Sequence, residues 1–493
     1  MNYILGIDIG TSNTKAIGYA ADGSIMAHAS LGYSFSSVKE GEHEIDPKVL
    51  FDAVIAVIAD AVRQASGHTL QAVSFSAAMH GLFAVDDRCR PLTNMITWAD
   101  LRSSPYAIRL RHTELGQRLY QRTGTPIHPM SPLCKLMWMK DNIAVIFNAA
   151  YKFISIKEYV CYQLFGEYVI DRSIASATGL FDIYDRDWNA EALQTAGITA
   201  GRLSKHVSPD YILKGIKNGF AGKMGIDPQV PFVAGASDGC LAHLGSNALH
   251  TNEVSLTIGT SGAVRRMIPA PVFDAQQRIF NYLLTDERYI AGGALNNGGN
   301  VLQWFNSHLA GRSGNTANDY DWFMAEAVKI PAGSDGLIFL PYIYGERAPV
   351  WDPEARGVFY GVSGMHTQAH FMRAILEGTS FALQSVLETL EEVLGPSGSI
   401  YVSGGFTHSP DWVALLADVL GRPLLVTGTE DASSAGAAIM AMQAIGVIPS
   451  LDRAGAFFTV RESFGPRQNA HQAYRDNYTV YAQLYDRLKD LKR

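Results

Sequence analysis

The sequence predicts an α/β protein built as two copies of one module, each a mixed β-sheet flanked by helices. Three observations carry that expectation. The tetrapeptide Ile9-Gly10-Thr11-Ser12 returns as Ile258-Gly259-Thr260-Ser261, about half a chain later. Each copy separates two runs in which apolar residues alternate with small or polar ones, the pattern of strand, tight turn and strand. Finally, 493 residues, 47% of them hydrophobic and 18% charged, exceed the ~250 to 300 residues at which a single core stops growing.

Taken in order, "YILGIDIGTSNTKAIGYAADGSIMAHASL" reads as a three-stranded antiparallel meander broken at GTSN and at ADG. "PKVLFDAVIAVIADAVRQA" opens on Pro and repeats apolar residues at helical spacing, which predicts an amphipathic helix. "LQAVSFSAA" follows as a short buried strand. The second half repeats this grammar: "EVSLTIGTSGAVRRMI" as strand, turn and strand, and "RYIAGGAL" as a strand. "AHFMRAILEGTSFALQSVLETLEEVL" is a long helix, "SIYVSGG" a strand, and a further helix starts at "SPDWVALLADVL". "AGAAIMAMQAIGVIP" is too short for a bilayer span and reads as a buried Ala-rich helix. No Ser/Pro linker marks the junction, which is placed near "HLGSNALHTNEV", giving domains of residues 1–246 and 247–493.

A net charge of -7 without a long basic run is unlike the footprint of a nucleic-acid or anionic-membrane binder. Any anionic substrate has to be met by local groups. Asp8 interrupts the first apolar run before a secretory signal could form, so the expected location is the cytoplasm. Cys89, Cys134, Cys161 and Cys240 lie far apart with no CxxC pair, and are expected as buried thiols.

A strand that ends in Gly-Thr-Ser turns tightly, exposes successive N–H groups and adds two hydroxyl donors, which makes a nest for anionic oxygens. One such tip is ordinarily a plain hairpin turn. Two, at matching places in a doubled fold, can grip one polyphosphate. The copies differ in one telling way: the counterpart of Asp8 in the first strand is Thr257 in the second. Beside a polyphosphate a carboxylate holds Mg2+, usually through water; the alternative is a carboxylate that only satisfies a turn. Gly404-Gly405, after a strand and before a helix, allows close approach of a flat ligand or is a tight turn. No P-loop and no dinucleotide-binding glycine pattern is present.

These stretches resemble the FGGY family of carbohydrate kinases over nearly the whole chain. "DIGTSNTK" is similar to the family's first phosphate motif, "TIGTSG" to the second and "VSGG" to its adenosine motif. "MSPLCKLMWMKDN" and "GVFYGVSGMHTQAHFMRAILE" resemble the two long family signatures, and "GERAPVWDP" and "GASDG" add to them. The resemblance implies the actin-like ATPase (ribonuclease H-like) fold, with the active site in a cleft between the duplicated domains. One departure is "SSAGAA" (Ser433 to Ala438), which lacks the Leu that many relatives carry near the adenine.

Carried over residue by residue, the resemblance implies Thr11, Ser12, Asn13 and Lys15 around the ATP phosphates, with Gly259 and Thr260 opposite. Gly299, Gln303, Gly404, Gly405 and Ser409 are implied on the nucleoside side, Met79, His80, Asp100 and Arg102 at the sugar, with Trp98 on the pocket wall, and Asp238 as catalytic base. By its residues alone Asp238 could equally cap the helix that follows it. "AAMHG", "ITWADLRS", the stretch from Ser155 to Leu180 and "GGALNNGG" are most similar to members that phosphorylate gluconate, with those acting on xylulose next. The expected reaction is D-gluconate plus ATP, with Mg2+, to 6-phospho-D-gluconate. A gluconate carboxylate calls for a cation, with Arg102 first and Lys135 and Lys157 behind it. Xylulose or another sugar or polyol is the alternative substrate, and a non-catalytic ATP-binding or sugar-sensing relative is the remote one. The expected partners are the sugar acid and ATP, without nucleic acid or membrane, and the reading allows a homodimer.

Overall fold

The computed structural model describes residues 1–35, 39, 41–312, 316–429 and 431–491. They form two compact units. The first comprises Met1–Thr251, Met267–Ala291 and Asp431–Thr459, the second Asn252–Arg266, Gly292–Glu430 and Val460–Arg493.

In the first unit the expected meander is present as strands Asn2–Ile9, Asn13–Tyr19 and Ile25–Gly32, paired antiparallel in sequence order. The strand Thr69–Ala77 runs parallel to the first, and Phe232–Ser237 runs parallel to that one. Ile4 and Leu5 are both buried, although neighbouring side chains on a strand point to opposite faces. Both faces of this sheet are therefore covered. On one side lies the helix Pro47–Gln64, with Asp46 as N-cap accepting from Lys48 N and Pro at its first position. On the other lies Ala432–Ala444, the Ala-rich helix. This helix packs backbone to backbone: a Cβ on Gly6 would sit 2.0 Å from Ser434 O, and one on Gly436 would sit 2.1 Å from Leu241 O. Only glycine and short side chains permit that approach, which explains the composition of the stretch.

The second unit repeats the arrangement. Strands Val254–Ile258 and Gly262–Ile268 form an antiparallel hairpin, Ile400–Ser403 runs parallel to the first of them, and Leu424–Thr427 parallel to that. Val460–Phe464 closes the edge antiparallel. The long helix is Gln368–Leu394, and Pro410–Leu420 starts at Ser409 as its N-cap. Cys89, Cys134, Cys161 and Cys240 are buried free thiols. Among the described residues no helix is long and apolar enough to cross a membrane.

Candidate active site

The two glycine tips differ by one residue. In the first hairpin the ladder closes at Ile9 and Thr14, leaving Gly10 to Asn13 in the turn; in the second it closes at Ile258 and Gly262, leaving Gly259 to Ser261. Gly10 N donates to Asn13 O at 3.0 Å and Gly259 N to Ser261 O at 2.8 Å, so each tip is held by its own backbone. In the first, Tyr33 Oη donates to Gly10 O at 2.5 Å and Trp98 Nε1 to Thr11 Oγ1 at 3.4 Å. Ser12 is exposed.

Asp8 stands one residue from the end of its strand, opposite Lys15. Its Oδ1 accepts from Ser76 Oγ at 2.7 Å. Burial pushes its carboxyl up to about 7, aided by the nearby Asp431 and Asp238 carboxylates and opposed by Ser76 and Lys15. Lys15 Nζ donates to Asp431 Oδ2 at 2.6 Å. Burial works against both charges, but each partner more than offsets it for the other, so the ammonium lies above and the Asp431 carboxyl below its ordinary range. The other oxygen of Asp431 caps the Ala-rich helix by accepting from Ser434 N at 2.8 Å. Asp431 belongs to the site and was missed in the sequence. An acidic residue directly before a run of small residues is an N-cap signal, but only the folded chain brings it to Lys15. Ala435, at the departure in "SSAGAA", is fully buried.

Asp238 is the first residue of the helix Asp238–Gly245, whose N-cap is Ser237. Its Oδ1 accepts from Gly239 N at 2.7 Å, so the carboxylate serves the helix start while remaining partly exposed. The strand that delivers it lies one strand away from that of Asp8, with Thr69–Ala77 between them. Both acids thus emerge at the carboxyl ends of parallel strands of one sheet, where α/β sheets place their ligands. Among the described residues no group of three or more His, Cys, Asp or Glu side chains forms a metal cage. The surroundings of Asp8 nonetheless fit a divalent cation held mainly by phosphate and water: burial first, and then the nearby Asp431 and Asp238 carboxylates, raise the Asp8 carboxyl, and a cation there would offset that charge.

Around the expected sugar residues, His80 has a left-handed backbone (φ 68°). It is fixed from two sides, with Nδ1 2.8 Å from Ala177 O and its carbonyl accepting from Lys135 Nζ at 2.6 Å. Met79 beside it is half-buried. Asp100 is buried and accepts from His43 N and from Arg102 Nε and Nη2 at 2.8 to 3.0 Å. Arg102 also reaches Glu44 Oε1 at 2.5 Å and lies over the Trp138 ring at 4.7 Å. Lys135 and Lys157 do not offer a cation to a ligand. Both are buried: Lys135, pushed down to about 7 by burial, is spent on the carbonyls of His80 and Ile96, and Lys157 on Asp171 and two carbonyls.

In the second unit three glycine motifs meet. Gly299 N donates to Gly259 O at 2.8 Å and Asn300 N to Thr260 O at 3.1 Å, joining "NNGG" to the second tip. Gly404, at φ 100°, lies so close that a Cβ would be 2.4 Å from Ile258 O. Glu346 of "GERAP" is fully buried and braces the same loop, accepting from Asn296 N at 2.5 Å and Asn297 Nδ2 at 3.0 Å. Gly405 opens a short 3-10 turn with open space where a Cβ would be, and Gln303 is exposed on the helix Gly299–His308. Ser409 caps the next helix through Trp412 N at 3.4 Å.

A hairpin followed by two parallel strands, present once in each half with a glycine tip on each hairpin, defines the class of protein: a two-domain α/β protein of the actin-like ATPase fold. The N-terminal domain of the FGGY family of carbohydrate kinases matches residues 3–245 and its C-terminal domain residues 254–445. The chain belongs to that family. It is 41% identical to the gluconokinase of Bacillus subtilis (strain 168), over 98% of this chain and 95% of that one. Against the xylulose kinase of the same organism the identity is 28%, over 100% and 98%. Two solved structures from Lactobacillus acidophilus, a gluconate kinase and a ligand-bound xylulose kinase, each superpose with a TM-score of 0.92 at 34% identity. Both cover 99% of this chain, and 98% and 99% of their own chains respectively.

Proposed function

We propose that this carbohydrate kinase transfers the γ-phosphoryl group of ATP to the terminal hydroxyl of D-gluconate, giving 6-phospho-D-gluconate and ADP. One observation carries the substrate assignment: near full-length identity to a gluconokinase at 41%, against 28% to a xylulose kinase from the same organism.

Phosphoryl transfer asks a protein to align the attacking oxygen and to neutralise charge on the phosphate, since the transition state is loose. In this reading Thr11, Ser12, Asn13 and Lys15 donate to the phosphates from the first tip, and Gly259 and Thr260 from the second. Gly299, Gln303, Gly404, Gly405 and Ser409 border the nucleoside. Asp238 accepts the proton of the sugar hydroxyl, a contribution of roughly 10² to 10⁴ in rate for a positioned base. Asp8 would hold Mg2+, which when bound would supply positive charge against the phosphate oxygens. Lys15 exchanges Asp431 for phosphate as the nucleotide arrives. Met79, His80 and Asp100 shape the sugar pocket, and Arg102 meets the substrate carboxylate with Nη1, because Nε and Nη2 are engaged by Asp100 and Glu44.

That last feature also favours a second reading. One guanidinium between two carboxylates leaves a local charge near -1, which opposes a carboxylate ligand and suits a neutral sugar such as D-xylulose. ADP release measured over gluconate, D-xylulose, L-ribulose, glycerol and L-fuculose at matched concentrations separates the two. Gluconate is expected to give the highest kcat/KM, and a tenfold preference for D-xylulose overturns the substrate assignment. Asp238→Asn is expected to abolish transfer while leaving ATP affinity within about twofold.

A further inference from the structure

The strand that carries Asp238 has an irregularity just before it. Along Phe232–Ser237 the parallel register with Thr69–Ala77 passes from Val233 opposite Ser74 to Ala236 opposite Ser76, so the first strand holds one extra residue there. Gly235 accommodates the bulge at φ 67°, where a Cβ would lie 1.8 Å from Phe75 O. A bulge interrupts the ladder and leaves backbone groups in need of partners.

Lys157 supplies them. Its side chain is buried, and its ammonium donates to Ala236 O at 2.8 Å, to Phe75 O at 3.4 Å and to Asp171 Oδ2 at 2.7 Å, so all three N–H groups are used. The first two acceptors lie on the two strands at the break. Asp171 is equally buried and uses its second oxygen to accept from Ile174 N at 2.9 Å, capping the turn of helix Arg172–Ser176. From that turn Ser173 Oγ accepts from Ser237 N at 3.1 Å and lies 3.0 Å from Ser237 Oγ. Ala236 and Ser237, the two residues before Asp238, are thus tied to one buried ion pair, the former directly and the latter through Ser173.

We propose that Lys157, Asp171 and Ser173 are positioning residues for Asp238: they fix the strand end from which its carboxylate meets the sugar hydroxyl. The inference rests on the reading of Asp238 as general base. A reacting group displaced by about 1 Å loses on the order of 10²-fold in rate, whereas the phosphate-binding tips are held by other bonds.

Two variants test it, Ser173→Ala and the paired Lys157→Met/Asp171→Asn, each compared with wild type and Asp238→Asn in kcat, KM for ATP and thermal midpoint. Ser173→Ala is expected to lower kcat about tenfold and the paired variant 10- to 100-fold, both with KM for ATP within about twofold and the paired variant with a lower midpoint, since Ala236 O and Phe75 O lose their donor. A purely structural role gives the opposite pattern: kcat at the wild-type value wherever the variant folds. That result overturns the inference, and so does a normal kcat in Ser173→Ala should the paired variant not fold. Loss of turnover in Asp238→Asn alongside such a result confines the failure to the positioning residues. Persistence of turnover in Asp238→Asn removes instead the reading on which they depend.

Discussion

Asp8 sits in an environment that costs the free protein stability when its carboxyl is ionised. Its carboxyl, raised to about 7 by burial and by the neighbouring Asp431 and Asp238, binds a proton more tightly in the folded chain than in the unfolded one. Between the ordinary aspartate range near 4 and pH 7 the native state therefore holds more protons, and stability falls as pH rises through that window. Above it the ionised group is a standing cost, which the cation proposed for this site would relieve. Asp8→Asn keeps an acceptor for Ser76 Oγ and removes the charge. Its expected signature is a gain on the order of 1 kcal/mol at pH 8, absent at pH 4, in denaturant titrations, with Mg2+-dependent turnover lost. Equal stability changes at both pH values overturn this account.

Among the elements, the glycines separate packing from ligand approach. The Ala-rich helix Ala432–Ala444 reaches the first sheet and the helix after Asp238 only because Gly6, Gly245 and Gly436 have no side chain: a Cβ would lie 1.8 to 2.1 Å from a backbone oxygen at each. Gly436→Ala is expected to destabilise the fold by ~1–3 kcal/mol or more, seen as a lower thermal midpoint and reduced soluble yield. Gly405 is the control, because nothing lies within 4 Å of its would-be Cβ. Gly405→Ala is expected to keep the midpoint and to raise KM for ATP several-fold, since the added methyl enters the space proposed for the nucleoside. A changed midpoint with an unchanged KM would place the nucleotide elsewhere.

For the whole molecule the relevant quantity is charge. A chain of net charge -7 with three carboxylates gathered near the first tip repels uncomplexed ATP. Binding that favours the native state raises stability by mass action, about 2.7 kcal/mol at a hundredfold excess over Kd. Mg2+-ATP is accordingly expected to raise the thermal midpoint by several degrees, while the same ATP in chelator gives a much smaller rise. Equal shifts with and without Mg2+ rule out the role given to Asp8.

How much of this was legible beforehand follows from what each feature depends on. The meander, the Pro47 helix, the Ala-rich helix and the helix starting in "SPDWVALLADVL" were readable because they rest on local periodicity and turn chemistry. The doubled hairpin was readable because Ile-Gly-Thr-Ser is written twice. The roles of Lys135 and Lys157 were not, since an ammonium at a given position is equally a ligand or a scaffold until its surroundings are known, and burial with carbonyl partners made both scaffold. Nor was Asp431, which meets Lys15 across 416 residues of chain. By itself the sequence determined the elements and the repeated glycine turns, because these depend on neighbouring residues. The tertiary structure alone decided which charges share a site, because Coulomb interaction and desolvation depend on distance in space and not on distance along the chain.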